Sequence, residues 1–378
     1  MSITSVYNKN QNNSEQKFGV DNLLTFQNEV EVKKYQDQNS NLKLVIFEGV
    51  IYDVAEYLPQ HPGGADLIVP YLGSCIDEPF EENQHTKSAR NLFNDLPKVG
   101  LMKHNSGANS DSDTQASDKG SNSNLKNGSN TKQIQGLDGY QLQGTWNPNY
   151  DKGLLLQLWT SKISLKEYVQ FIEEPKHLIN PVRDVILFNS PYLEVFSKTP
   201  WYAIPIAWSP FLVYWLSLNE LDAFSSLFWL LAGIVNWTLI EYLIHRFIFH
   251  GEDYWLPESN FAYVAHFLLH GIHHAFPQDA LRLVFPVLPG YIVMNLLLAP
   301  LVKSLTPDHI ENVFVAGTLV GYILYDLIHY FIHHSSPKDG YWKNVKIYHM
   351  QHHYKNGKAG YGVSQKFWDL VFRTELRI

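Results

Sequence analysis

The sequence predicts a multidomain chain: a small α+β domain, a flexible linker, and an all-α integral membrane domain with four transmembrane helices under a histidine-rich helical cap. Three observations predict it. Apolar runs close to the roughly 20 residues that cross a bilayer are confined to the C-terminal half. Residues 105–135 are almost wholly Ser, Asn, Gly, Asp, Lys and Gln, a composition with nothing to bury. Histidines cluster: His245, His250, His266, His270, His273 and His274 fall together, followed by His329, His333 and His334, then His349, His352 and His353. Each would be costly to desolvate without a partner, and imidazole is the commonest metal ligand, so a polymetal site is expected.

Bulk properties narrow the class. At 378 residues, two or three domains are expected. A net charge of −8 argues against nucleic acid as a main partner. Cys75 is the only cysteine, which excludes disulfides and thiolate metal sites and predicts a reducing compartment. The first residues lack the apolar core of a signal peptide, and T-E-L-R-I carries no lumenal retention signal. The mean hydropathy of −0.20 averages two very different halves.

Taken in order, residues 1–22 form a polar tail with few apolar groups, expected to be disordered. Residues 23–104 have the composition of a small globular domain. Leu44–Phe47 and Val50–Val54 read as short strands around a Glu48-Gly49 turn, and His61-Pro62-Gly63-Gly64 can only be a loop. His85 lies in a polar stretch expected to be helical. After the linker, residues 136–200 are mixed; Leu154–Phe171 reads as either a membrane-surface segment or a packed helix. Residues 201–378 form the membrane part, with spans expected at 201–218, 223–244, 284–302 and 313–332.

The short loops inside the two hairpins contain one basic residue, Lys303, whereas the other side carries ten, from Arg246 to Arg377. The positive-inside rule puts that side, with the clustered histidines, in the cytosol. His309, alone in a hairpin, reads as an ordinary exposed residue, and so do His104 and His177.

At 100° per residue, His270, His273 and His274 are expected on one helical face, as are His329 with His333, and His349, His352 and His353 repeat the first pattern. His245 and His250, about 140° apart, cannot share a face of an α-helix, and Gly251 predicts that the helix ends there. Ten imidazoles exceed the four to six ligands of one metal, so two metals are expected. Glu241 and Asp326 lie four and three residues before His245 and His329. Acids at membrane depth are expensive, and accepting a ring N–H from a liganding histidine would stabilise them; hydrogen bonding between spans is the plainer alternative.

Two resemblances follow. The run G-V-I-Y-D-V-A-E-Y-L-P-Q-H-P-G-G, with His85 downstream, resembles cytochrome b5 domains. This implies a haem b whose axial ligands are His61 and His85, a saturated iron suited to electron transfer. The acids Asp77, Glu78, Glu81 and Glu82 could then face a basic reductase, or simply be a solvated loop. The boxes HxxxxH, HxxHH, HxxxH and HxxHH resemble the membrane fatty acid hydroxylase and sterol desaturase superfamily; joined to the haem domain, the whole looks like a fatty acid 2-hydroxylase acting on sphingolipid acyl chains. By that resemblance the metal ligands are His245, His250, His270, His273, His274, His329, His333, His349, His352 and His353. His266 and His334 lie outside the boxes, though His266 shares a face with His270.

The implied activity is an oxygen-dependent mono-oxygenase with two iron ions, zinc being a possible replacement in isolated protein. NAD(P)H would supply electrons through a separate cytochrome b5 reductase-type flavoprotein, and the substrate would be a long-chain acyl lipid: fatty acid, acyl-CoA or ceramide. The endoplasmic reticulum membrane is the implied location, with haem domain and metal site on the cytosolic face. Rival readings are a front-end acyl or sterol desaturase, a zinc-dependent membrane hydrolase, and a non-enzymatic electron carrier. His349 holds the position where front-end desaturases carry glutamine, which favours the hydroxylase.

Overall fold

The computed structural model describes residues 23–83, 85, 87–103, 146–178 and 185–376. The expected N-terminal tail, the linker at 105–135 and His104 lie outside the described residues.

The N-terminal part is built on β1 (Leu24–Phe26), α1 (Glu29–Gln38), β2 (Leu44–Phe47), β3 (Val50–Asp53), α2 (Asp77–Glu82), α3 (Lys87–Asn91) and β4 (Lys98–Met102). Their sheet has the order β1-β4-β3-β2; β2 and β3 form an antiparallel hairpin, and β1 runs parallel to β4. Positive φ at both Glu48 (49°) and Gly49 (75°) is what a tight two-residue hairpin turn requires. Alternation along β2 sends Val45 and Phe47 to one face, against Phe80 and Phe93, and Leu44 and Ile46 to the other, against Val32 and Phe26. His85 is not in a helix as expected. It sits in the break between α2 and α3, where its ring stacks on Phe80 at 4.1 Å.

Next come α4 (Leu154–Thr160) and α5 (Leu165–Glu173), so that the packed-helix alternative holds, as two helices. A capping box between Ser164 and Glu167 starts α5. Leu154, Leu158, Tyr168, Phe171 and Ile172 are buried against Tyr263, Phe267 and Ile272. A short α6 (Pro191–Phe196) leads to the apolar helices.

These are α7 (Ala203–Ser217) and α8 (Ala223–Ile244); then, after α9 (Asn260–His266) and α10 (Ile272–Ala275), α11 (Val287–Val293), α12 (Ala299–Ser304) and α13 (Asp308–His334); α14 (Tyr341–Tyr354) and α15 (Phe367–Phe372) complete the chain. Among the described residues three helical stretches are long and apolar enough to cross a membrane: Ala223–Phe249, Val287–Ser304 and Asp308–His334. The expected first span is represented by α7, which at 15 residues reaches about 22 Å against a hydrocarbon core of about 30 Å. Outward-facing side chains on these helices are apolar, among them Ile206, Val213, Phe224, Leu231, Leu296 and Leu301.

Among these helices α13 is the most enclosed, packed between α8, α7 and α12. Its approach to α8 depends on small residues. A Cβ at Gly317 would stand 2.2 Å from the Leu230 carbonyl oxygen, and one at Gly233 would stand 2.4 Å from that of Phe314. Both hairpin turns lie at one end of the bundle, so the C-termini of α8 and α13 emerge together at the other. There α9, α10 and α14 close over them.

Candidate metal centre

Ten histidines converge at that end and fall into two groups of five. One comprises His245, His250, His270, His274 and His352; the other comprises His273, His329, His333, His349 and His353. Within each group the ligand atoms lie within 4.8 Å of one another, and all ten residues are buried. His266 and His334 belong to neither.

The partition differs from the faces read off the sequence. His245 and His250 share a group because the chain leaves α8 through a π-helical turn, His245–Phe249, in which the His250 N–H donates to the His245 carbonyl at 3.0 Å. That wider turn brings residues five apart onto one side, which an α-helix cannot do. A second π-turn, Phe267–Gly271, carries His270 into α10. His273 and His274, adjacent and therefore about 100° apart, face different groups. Each HxxHH box is split: His270 and His274 go one way and His273 the other, while His349 and His353 go together and His352 crosses over.

The spacing suits metal ions. His245 Nε2 lies 3.2 Å from His270 Nε2, and His250 Nε2 lies 3.0 Å from His352 Nε2. In the second group His349 Nε2 is 3.0 Å from the Nε2 atoms of His329, His333 and His353. Two bonds of about 2.0–2.1 Å meeting at one ion would hold their nitrogens roughly 2.9–3.4 Å apart. Nε2 of His273 and of His274 is buried with no hydrogen-bond partner among the described residues. Burial first, then the neighbouring imidazoles, holds His270, His273, His274, His349 and His353 well below the ordinary imidazole range and His352 down to about 3. Neutral imidazole is the form that binds metal.

Outer partners favour the first group. Nδ1–H of His245 donates to the Tyr361 carbonyl (2.5 Å), and that of His352 to the Ala359 carbonyl (2.8 Å). His250 Nδ1 bonds Glu252 at 2.9 Å. Burial would raise the Glu252 carboxyl, but the bond from His250 and the nearness of His266 hold it well below the usual range. Sequence reasoning missed Glu252; its signal was an acid two residues beyond a box histidine, in H-G-E-D. His266 uses both ring nitrogens away from the metal site: Nδ1 meets Tyr168 OH at 2.7 Å, and Nε2 lies 2.7 Å from both the Phe249 carbonyl and Glu252 Oε2.

Neither carboxylate singled out by spacing receives a ring N–H. Glu241 accepts from the backbone N–H groups of Val363 (3.0 Å) and Ser364 (2.9 Å) and from Ser364 Oγ (2.7 Å). It therefore pins the loop whose Tyr361 carbonyl holds His245. Asp326 accepts from Tyr322 OH on its own helix α13 and from Phe285 N just ahead of α11.

In the N-terminal domain, His61 and His85 face each other with ring centroids 6.4 Å apart and planes 30° from parallel. That gap admits one ion with a bond of about 2 Å on either side. Each Nδ1–H is committed to a backbone carbonyl, Gly64 for His61 (2.8 Å) and Phe80 for His85 (2.7 Å), which leaves both Nε2 atoms to a metal. Burial lowers His61 to about 4, so it is neutral at pH 7. His177, read as exposed, is buried instead, at 7% exposure, because it lies where the N-terminal domain meets the helical part. His309 is exposed, as read.

Two parts of the chain match known families. Residues 28–103 match the family described as cytochrome b5-like heme/steroid binding domain, and residues 230–374 match fatty acid hydroxylase. A ceramide very long chain fatty acid hydroxylase of Saccharomyces cerevisiae is 36% identical over 86% of this chain and 88% of its own length. A fatty acid 2-hydroxylase of Rattus norvegicus is 31% identical with the same coverage. A dihydroceramide fatty acyl 2-hydroxylase of Arabidopsis thaliana is 39% identical over 55% of this chain and 86% of that one. A solved structure of full-length scs7p, in which only the hydroxylase domain is visible, superposes with a TM-score of 0.57, at 39% identity over 61% of this chain and 86% of that one.

Proposed function

The chain belongs to the fatty acid hydroxylases that carry a fused cytochrome b5 domain, and from that premise we propose that it hydroxylates C-2 of long-chain acyl groups of ceramide or its precursors, using two irons held by the ten grouped histidines. The observation that carries this reading is the pair of adjacent five-imidazole nests. The chemistry that irons supply when bound there is activation of O2 for insertion of one oxygen atom into a C–H bond.

The chain's own contributions are positional. His245, His250, His270, His274 and His352 hold one ion, and His273, His329, His333, His349 and His353 the other. All-nitrogen, charge-neutral ligation suits a redox metal, and burial keeps bulk water from the site. Glu252 and the carbonyls of Tyr361 and Ala359 fix the tautomers and orientations of three of the imidazoles. His61 and His85 would hold the haem, whose chemistry there would be single-electron delivery.

An NAD(P)H-dependent flavoprotein reductase would charge the haem, docking on the acids of α2. Four passes through the endoplasmic reticulum membrane, with α7 as the short one, put both metal sites on the cytosolic face, in keeping with the basic residues on that side.

Mass spectrometry of acyl chains from host cells expressing the wild type, beside a His270→Ala/His274→Ala variant, tests the reading. New 2-hydroxy acyl sphingolipids with the wild type alone are expected. Species lighter by two hydrogens would make the chain a desaturase, and no new species would refute the hydroxylase.

A further inference from the structure

The loop that carries His61 rests on the histidine-rich domain. Gln60 and Leu178 exchange two hydrogen bonds, Leu178 N to Gln60 Oε1 (2.9 Å) and Gln60 Nε2 to the Leu178 carbonyl (3.3 Å). Beside them Asp66 pairs with Lys343 at 3.5 Å. Between the two sites lies an unbroken file of rings. Tyr57 meets the His61 ring at 5.9 Å and the His177 ring at 5.1 Å, edge-on in both cases. His177 stacks on Tyr354 at 5.8 Å and 22°. Tyr354 is bonded through the backbone to His353, a member of the second group.

Stability does not explain His177. It is buried, and its Nδ1 has no hydrogen-bond partner among the described residues, an arrangement that costs about 1–3 kcal/mol. An aliphatic side chain would fill the place more cheaply. What a ring supplies, and an aliphatic side chain does not, is a π-system in contact with both neighbours, edge-on to Tyr57 and stacked on Tyr354. Electron tunnelling falls steeply with every gap, so stacked rings and covalent bonds make the shortest effective path.

We propose that His177, seated between Tyr57 and Tyr354, is the positioning residue that couples the haem held by His61 to the metal ion held by the His353 group. This rests on the function proposed above. In each transfer the ferrous haem iron is oxidised to ferric and a trivalent ion of the second group is reduced to divalent. No bond forms or breaks, and the rings relay the electron without being oxidised themselves. Two transfers serve each oxygen atom inserted, and an external one-electron reductant restores the haem.

The test follows the haem rather than the product. Full-length protein loaded with haem and iron, in lipid nanodiscs, is reduced with dithionite and mixed with oxygenated buffer and acyl lipid, and haem absorbance reports reoxidation. Protein loaded with haem but without iron in the histidine groups sets the baseline. His177→Leu should slow reoxidation by roughly tenfold or more, while His177→Phe, which keeps a ring, stays near wild type. Haem midpoint potential and iron content should not change. A zero-length cross-link between Asp66 and Lys343 reports whether the domains remain docked. Unslowed reoxidation in His177→Leu with the cross-link intact overturns the proposal. Slowing that tracks loss of the cross-link overturns it too, because His177 would then only hold the domains together. Failure of the wild type to reoxidise above the baseline would instead refute the hydroxylase reading on which it rests.

Discussion

The two groups of five histidines are alike in number and burial but not in what stands behind them. In the first, three outer nitrogens are tied to oxygen: His245 to the Tyr361 carbonyl, His352 to the Ala359 carbonyl, and His250 to the Glu252 carboxylate. In the second, Nδ1 of His333, His349 and His353 is buried with no hydrogen-bond partner among the described residues. An oxygen behind an imidazole fixes its tautomer, locks its rotation and makes it a stronger donor to metal. The first nest is therefore the more rigid and basic of the two. The second, with less outer support, is the more free to adjust its imidazoles around an ion.

The largest expected effect would erase this contrast. His250→Ala in the first group and His353→Ala in the second should each abolish 2-hydroxy acyl product. Iron content should fall from two per chain toward one, as read by metal analysis of purified protein. Retained product in either variant would mean that only one nest does chemistry.

Glu252→Ala sharpens the contrast, since the second group has no counterpart to remove among the described residues. A loss of about 10–100-fold in activity or metal affinity is expected, by analogy with other buried carboxylate–histidine pairs. Titration with a chelator should then show two phases in the wild type, the second group emptying first. In Glu252→Ala the two phases should merge. A single phase in the wild type would say that the outer partners do not set affinity.

The smallest effect is expected one step further out. Tyr168→Phe removes the hydroxyl at 2.7 Å from His266 and leaves the ring stacked on Tyr263 at 4.8 Å. Its cost should be about 1 kcal/mol in thermal stability, with only a few-fold loss of activity, because His266 reaches the metal site only through Glu252.

Residue type and spacing reveal which histidines assemble, but not how they divide. All ten box histidines fall into the two nests, and His266 and His334, outside the boxes, fall outside the nests as well. Equal turns of 100° fail at His245–Phe249, where the backbone widens to a π-turn; no side chain in H-R-F-I-F-H announces that. The same assumption put three histidines of each HxxHH box on one face. The carboxylates were chosen on helical spacing, yet Glu241 bonds a loop more than a hundred residues away, and Glu252 acts from a short non-α turn. In the N-terminal domain the hairpin was legible because alternation and turn chemistry agree at Glu48-Gly49. The burial of His177 was not, because it arises where two separately folded parts meet.

Splitting each HxxHH box between the nests has a mechanical consequence. The segment from the Phe267–Gly271 turn through α10 puts two imidazoles in the first nest and one in the second, α14 does the reverse, and each acts as a spacer bar between them. The gap between the ions is thereby set by peptide geometry and needs no bridging side chain to gauge it. Neither seat can drift, widen or accept a differently sized occupant without displacing the other.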